Sequence, residues 1–110
     1  MRKLPKISII VPSFNKVRYI GITLQSIVNQ KYPNLEVIIQ DGGSTDGTLD
    51  IIKRYAERFP ELFRWESKKD KGQLDAINKG LKNATGEIFA YINADDIYKE
   101  GALLTVGKYF

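Results

Sequence analysis

Two adjacent acidic residues, Asp95 and Asp96, follow the apolar run 88–92, which has the length and composition of a buried strand. Neighbouring carboxylates at a strand end repel each other unless a positive group lies beside them. A hard cation such as Mg²⁺ or Mn²⁺ takes oxygen ligands and would remove that repulsion. A turn or a helix N-cap uses the same residue types without any ligand. This motif alone therefore leaves a metal site and a local structural role open.

Composition limits the chemistry that these residues can support. The chain has 110 residues, 43% of them hydrophobic, which predicts one domain with a small core. It contains no cysteine and no histidine, which excludes disulfides, thiol nucleophiles and a histidine base. Residues 1–6 are basic but lack the apolar stretch of a signal peptide, and no apolar run could span a bilayer. We therefore expect a cytoplasmic protein, either free or peripheral to the membrane.

The net charge of +4 does not indicate a nucleic-acid partner, because the lysines and arginines are scattered along the chain. Strands and helices are instead predicted to alternate. Apolar, mostly β-branched runs predict four strands, at residues 7–11, 35–39, 62–66 and 87–92. Apolar residues at helical spacing predict four helices, at about residues 17–30, 49–59, 74–84 and 97–109. Such alternation predicts an α/β fold with a mostly parallel sheet and right-handed crossovers.

Polar clusters follow three of the predicted strands, at residues 13–15, 41–46 and 93–96. In parallel α/β sheets, ligands bind beyond the carboxyl ends of the strands, where the strand order reverses. The three clusters therefore predict one binding crevice. Asp41 lies directly at a strand end, where its carboxylate could accept a hydrogen bond from the imide N–H of uracil or from a ribose hydroxyl. For residues 44–46 we favour an ordinary turn into the next helix.

Several segments in this order resemble the inverting family 2 glycosyltransferases, across roughly residues 6–100. They are IIVPSFN at 9–15, QDGGSTDGT at 40–48, DKGQ at 70–73 leading to NKG at 78–80, GE at 86–87 and NADD at 93–96. The resemblance implies a Rossmann-like, three-layer GT-A fold that binds a nucleotide-diphosphate sugar, with UDP as the expected nucleotide, together with Mn²⁺ or Mg²⁺. It also implies a saccharide or lipid-linked acceptor and a role in cell-wall or polysaccharide biosynthesis.

The resemblance assigns roles residue by residue. Pro12 and the turn 13–15 match the family's first nucleotide-contacting loop, and Asp41 matches the carboxylate that reads the base. Residues 70–78 match the segment beside the ribose and diphosphate, in which Asn78 could orient the loop of the metal site. The predicted nucleotide-sugar-binding residues are Pro12, Ser13, Asn15, Asp41, Lys71, Gly72, Asn78, Asn93, Ala94 and Asp95.

The metal motif departs from the family pattern. Asp95 matches the last carboxylate of the family's Asp-x-Asp motif, but its first position is Asn93, whose amide adds no negative charge. Asp96 could compensate, so Asp95 and Asp96 are the predicted metal ligands. Gly42 also departs, because many relatives have a second Asp there. Lys71 and Lys79 could each face either phosphate or solvent.

The mechanism that the resemblance implies is a single displacement at the anomeric carbon, with inversion. The family's base and acceptor site lie after the metal motif, and no residue after Asp96 offers a convincing base. We therefore name no catalytic residue and expect residues 1–110 to form one donor-binding domain, apparently truncated, without the acceptor-binding part and inactive alone. The exposed apolar surface expected to promote self-association comprises Leu103, Leu104, Val106, Tyr109 and Phe110.

Two other functions stay open on the sequence. One is a non-catalytic interaction or structural module that keeps the same fold without turnover. The other is a metal-dependent nucleotidyltransferase, which would use a glycine-rich loop with Arg and Lys after the first strand. Residues 13–16, Ser-Phe-Asn-Lys, lack those glycines, which disfavours the nucleotidyltransferase.

Overall fold

Strands and helices alternate strictly along the computed structural model, which describes residues 4–109. The elements are β1 (Ile7–Ser13), α1 (Ile20–Val28), β2 (Leu35–Asp41), α2 (Thr48–Arg58), β3 (Phe63–Ser67), α3 (Gln73–Asn83), β4 (Ile88–Tyr91) and α4 (Ala102–Tyr109). All eight predicted elements are therefore present, and the predicted α/β class is confirmed. None of the helices described between residues 4 and 109 is long and apolar enough to cross a membrane.

The four strands form one parallel sheet in the order β3-β2-β1-β4. The chain runs outward from β1 to β2 and β3, and then returns to the other side of β1 to form β4. The strand order thus reverses beside β1. A crevice for ligands is expected at the carboxyl ends of the strands that flank this reversal.

Helices cover both faces of the sheet. On one face, Ile9 and Ile39 belong to a buried cluster that also contains Leu24 of α1 and Ile52 of α2. On the opposite face, α3 lies so close to β1 that a Cβ at Gly80 would be 2.7 Å from Ile10 Cγ2. The result is the three-layer arrangement that the resemblance implies.

Two helices begin later than their apolar spacing predicts. The prediction of a helix from residue 17 is wrong by three residues, because residues 17–19 form a turn before α1. The helix predicted from residue 97 begins only at Ala102. Gly101 has φ +77°, in the left-handed region, so a right-handed helix cannot continue through it.

The prediction that Leu103 is exposed is wrong. Leu103 is 3% exposed and belongs to the core cluster on the α1 side of the sheet. The side chain of Gln30, just after α1, fixes this orientation. Its amide donates to the Lys99 carbonyl over 2.7 Å and accepts from the Leu103 N–H over 3.0 Å. These two bonds hold the start of α4 against the core.

The other residues of the predicted surface differ in exposure. Leu104 is partly buried against the same cluster, whereas Val106 and Tyr109 are 38% and 84% exposed. Phe110 lies outside the described residues. Self-association through this end of the chain stays a prediction, which sedimentation can test.

A charge network around the buried Glu36 lies at the other end of the sheet, where β2 begins. Glu36 is 6% exposed and pairs with Lys6 over 3.0 Å and with Arg64 over 3.1 Å. The Thr85 hydroxyl also donates to this carboxylate over 2.6 Å. Burial raises the pKa of Glu36, but the hydrogen bonds from Thr85 and Lys6 outweigh it and lower the pKa from 4.5 to about 2.

This network should make stability fall in acid. Because the pKa of Glu36 is lower in the folded chain, its contribution is present above pH 4.5 and is lost as pH falls toward 2. We expect the free energy of unfolding to drop by about 2–3 kcal/mol over that range from this group. In urea denaturation at a series of pH values, Glu36→Gln should flatten that dependence, whereas exposed Glu57→Gln should keep it. An unchanged slope in Glu36→Gln would contradict the assignment.

The close approach of α3 to β1 leads to a second prediction, on the stability of the folded chain. Gly80→Ala should cost about 1–3 kcal/mol of unfolding free energy, because the added methyl overlaps Ile10. Gly21→Ala is the matched control, since its Cβ would meet Ile51 at an ordinary 3.7 Å. It should be neutral or stabilise by about 0.5–1 kcal/mol, as Ala favours helix more than Gly. Equal stability of the two variants in urea denaturation would refute the packing argument.

Candidate functional site

A cavity of about 610 Å³ opens at the carboxyl ends of the strands, beside the reversal of strand order. Its volume is in the range of small-molecule and cofactor sites. Its walls come from the loops after β1, β2 and β4 and from the segment that leads into α3. The lining residues are Pro12, Ser13, Phe14, Lys16, Gly42, Lys69, Asp70, Gly72, Gln73, Ala76, Asn93, Ala94 and Asp95. The single crevice predicted from the three polar clusters is therefore present.

Asp41 does not line this pocket, but it stabilises the segments that form its wall. Its side chain is fully buried, and its two carboxylate oxygens accept five hydrogen bonds. The donors are the hydroxyls of Ser13, Ser44 and Ser67 and the backbone N–H groups of Gly43 and Ser44, at 2.6–3.0 Å. The predicted contact between Asp41 and a nucleobase is therefore not available in this geometry, because the carboxylate is enclosed and already bonded.

Asn15 also acts as a structural clamp between two loops. Its backbone φ is +50°, a conformation that asparagine tolerates better than most residues. Its N–H donates to the Ser44 hydroxyl and its side-chain oxygen accepts from the Thr45 N–H, both over 2.8 Å. Asn15 does not line the cavity. Its two hydrogen bonds join the loop after β1 to the loop after β2.

A second clamp lies at the start of α2. The carboxylate of Asp46 accepts from the N–H groups of Val17 and Thr48, at 3.1 and 3.0 Å, and from the Thr48 hydroxyl. The hydrogen bond from Thr48 lowers the pKa of Asp46, so the carboxylate stays ionised. Residues 44–46 thus form the turn into the helix that the sequence predicts, with Gly47 at the N-cap position.

The side of the pocket after β4 is charged. Asp95 lines the cavity and lies 3.5 Å from the ammonium of Lys16, and both side chains are less than half exposed. The amide of Gln73 donates to the side-chain oxygen of Asn93. Sequence reasoning named Asp95 and Asn93 but missed Lys16 and Gln73. The only signal for Lys16 was its position directly after the 13–15 turn.

Asp96 does not lie in the pocket, so its predicted role as a metal ligand is not supported by its position. Its N–H donates to the Asn93 carbonyl over 3.0 Å, and its own carbonyl accepts from the Thr23 hydroxyl over 2.6 Å. The chain turns at these residues and leaves the side chain of Asp96 exposed outside the cavity lining.

The donors present fit a cation that is shared with a ligand. Within residues 4–109, no group of three or more acidic side chains could hold a metal alone. Asp95 offers one carboxylate in the cavity, and Asn93 offers an amide oxygen beside it. Mg²⁺ is commonly held by one or two carboxylates, with substrate phosphates and water completing its shell. The site therefore suits Mg²⁺ or Mn²⁺ only when a diphosphate supplies most of the ligands.

Two further predicted residues lie outside the cavity lining. Asn78 is exposed on α3, and the predicted orienting of the loop after β4 is instead provided by Gln73. Lys71 donates its backbone N–H to Asp75 over 2.9 Å, and Lys79 forms an ion pair with the same carboxylate at 3.3 Å. Neither lysine lines the pocket. The lysines that do are Lys16 and Lys69.

Pro12, Ser13, Gly72, Asn93, Ala94 and Asp95 are the predicted residues that the structure brings together around the cavity. Phe14, which is 55% exposed, and Asp70 also line the cavity. Both belong to motifs of the sequence, but neither is predicted there to contact a ligand. A parallel sheet with such a crevice at its reversal of strand order places the chain in the general class of open α/β proteins, whose ligands bind at that point.

The family follows from comparison. A model of the family described as glycosyl transferase family 2 matches residues 8–110. The chain therefore belongs to glycosyl transferase family 2, and the resemblance that its motifs indicate is confirmed. The GT-A fold is confirmed by solved glycosyltransferase structures.

Two solved structures are similar to this chain over most of its length. The mannosyltransferase PcManGT from Pyrobaculum calidifontis, in complex with GDP-Man and Mn²⁺, is 34% identical with a TM-score of 0.83. It is matched over 90% of this chain and 30% of its own. TarS residues 1–349 from S. aureus, in complex with UDP-GlcNAc, are 31% identical with a TM-score of 0.82, over 94% of this chain and 30% of that one.

Curated relatives are similar over the same region. A dolichyl N-acetyl-alpha-D-glucosaminyl phosphate 3-beta-D-2,3-diacetamido-2,3-dideoxy-beta-D-glucuronosyltransferase of Methanococcus voltae is 44% identical over 92 residues, covering 80% of this chain. A PGL/p-HBAD biosynthesis glycosyltransferase of Mycobacterium bovis is 36% identical over 106 residues, covering 96%. The chain spans 28% and 41% of the length of these two relatives.

The position of Asp41 predicts a structural defect when its charge is removed. Asp41→Asn should lower the free energy of unfolding by about 1–3 kcal/mol, because one carboxylate oxygen becomes an amide that cannot accept hydrogen bonds. Urea denaturation measures the loss. The control is Asp50→Asn on the exposed side of α2, which should change stability by less than about 0.5 kcal/mol. If the two variants are equally stable, Asp41 does not support the loops as described.

Proposed function

We propose that these residues form the donor site of an inverting glycosyltransferase and bind a nucleotide-diphosphate sugar, with UDP the expected nucleotide. The observation that carries the proposal is the cavity at the reversal of strand order, which joins two carboxylates, two lysines and glycine-containing loops. The GDP-Man and UDP-GlcNAc complexes of the two similar structures support the same class of ligand. The acceptor we propose is a saccharide or a lipid-linked saccharide, in cell-wall or polysaccharide biosynthesis.

The charged side of the pocket suits the diphosphate. In the structure, Lys16 balances the charge of Asp95. A bound Mn²⁺ or Mg²⁺ would stabilise the negative charge that develops on the leaving nucleoside diphosphate. Asp95 would hold that cation, and Asn93, fixed by Gln73, would add a neutral oxygen. Lys16, which lines the same cavity, would then bind phosphate oxygens directly.

The chemistry proposed is a single displacement. The acceptor oxygen forms a bond to the anomeric carbon as the bond from that carbon to the diphosphate oxygen breaks, and the acceptor proton passes to a base. We assign no base within residues 4–109. Their proposed part is to bind and orient the donor, and donor transfer by these residues alone is not expected. We propose a cytoplasmic location, free or peripheral to the membrane.

Calorimetric titration with UDP and with GDP tests the donor site. We expect binding that is stronger with Mn²⁺ than with EDTA, because the cation screens the diphosphate beside Asp95. Asp95→Asn should remove the Mn²⁺ effect while leaving weak binding. Asn93→Asp should enlarge the effect by adding a charged ligand.

Asp50→Asn is the control, because Asp50 is exposed on α2 and does not line the pocket. It should keep the full Mn²⁺ effect. A folded protein that binds no nucleoside diphosphate, with or without Mn²⁺, would end the donor-site proposal. A Mn²⁺ effect that persists in Asp95→Asn would instead remove the metal role of Asp95.

A further inference from the structure

The space beside Gly42, and not its backbone conformation, disfavours a side chain at this position. Four glycines of the described chain have φ in the left-handed region, and Gly42 is not among them. Other residues could therefore adopt its backbone geometry. A Cβ built on Gly42 would instead meet the carboxylate of Asp70, at 2.8 Å from Oδ2 and 3.0 Å from Oδ1. The missing side chain of Gly42 leaves room that the Asp70 carboxylate fills.

The Asp70 carboxylate is available to a ligand, unlike that of Asp41. Its Oδ1 accepts one hydrogen bond, from the Gly72 N–H at 3.0 Å. Within the described residues, no lysine or arginine forms an ion pair with the Asp70 carboxylate. Oδ2 keeps its acceptor capacity. Both Asp70 and Gly42 line the cavity.

The position of Asp70 decides which part of a nucleotide it can meet. Asp95 follows β4 and Gly42 follows β2, with β1 between them, which separates the two ends of the pocket by roughly 10 Å. The diphosphate belongs at the Asp95 and Lys16 end, because the proposed cation site and the Lys16 ammonium lie together there. The second lysine of the lining, Lys69, neighbours Asp70 in sequence but forms no ion pair with it among the described residues. An unpaired carboxylate repels phosphate, so the Asp70 end suits the uncharged nucleobase, which a nucleotide carries at its opposite end.

We propose that Asp70 determines the nucleobase that this pocket accepts, by receiving a hydrogen bond from a ring N–H of the base. The inference rests on the proposed donor site and specifies its ligand. Uracil carries such a proton at N3 and guanine carries one at N1. Cytosine and adenine carry a lone pair at the corresponding nitrogen, which a carboxylate oxygen repels. The pocket therefore selects uridine or guanosine diphosphates over those of cytidine and adenosine.

UDP and CDP form the best test pair, because they have nearly the same shape and differ at this edge. We expect UDP to bind the protein roughly 10–100-fold more tightly than CDP, the range that a hydrogen bond to a charged group provides. Asp70→Asn should bring the ratio close to one, because an amide can donate to the lone pair of cytosine N3. Calorimetry with Mn²⁺ present measures both affinities.

Gly42→Ala tests the geometry while keeping the Asp70 charge. The new methyl would displace the carboxylate, so the UDP/CDP ratio should fall although no polar group is removed. In the double variant Gly42→Asp with Asp70→Ala, the carboxylate extends from the other loop into the same space. This exchange should restore a preference for UDP that Asp70→Ala alone lacks.

Asp75→Asn is the matched control, because Asp75 belongs to the same segment but pairs with Lys79 outside the cavity lining. It should keep the wild-type UDP/CDP ratio. An unchanged UDP/CDP ratio in Asp70→Asn would overturn the proposal. If both affinities also fall by the same factor, the carboxylate acts on the ribose, which UDP and CDP share. Wild-type protein that binds no nucleotide would be a failure of the donor site itself, which the UDP titration detects separately.

Discussion

The buried carboxylate of Asp41 organises the edge of the sheet on which the candidate site depends. Five hydrogen bonds draw the end of β1, the loop after β2 and the end of β3 toward one pair of oxygens. Burying a charge is unfavourable unless such donors compensate it, so the stability of the buried carboxylate depends on all three segments being in place. Asn15 and Asp46 extend the same connection to the start of α2. The pocket can therefore be open to solvent while the loops that carry it stay fixed.

The sequence was sufficient for the architecture because the signals there are local. Apolar β-branched runs, helical spacing and strand-end polar clusters depend on near neighbours, and all eight elements follow from them. The starts of α1 and α4 were less predictable. The turn at residues 17–19 is held by a hydrogen bond from Val17 to Asp46 of another loop, and Gly101 has a positive φ; apolar spacing records neither.

Individual site residues were harder to predict, because their roles depend on how many partners converge on each one. Asp41 and Asp70 are both carboxylates near strand ends, yet one receives five donors and the other receives one. Asn78 and Gln73 are both amides on α3, but only Gln73, at the first residue of the helix, reaches Asn93. The burial of Leu103 likewise depends on Gln30, which lies far from it in sequence.

The contact between Gly80 and Ile10 links the width of the pocket to the packing of the interior. α3 begins at the pocket with Gln73 and reaches β1 at Gly80, two helical turns or about 10 Å further along. The opposite wall of the pocket, at Pro12 and Ser13, is the end of the same β1 strand. The separation of the two walls thus depends on how closely α3 packs against β1 at Gly80. Substitutions there would alter ligand affinity without touching the ligand.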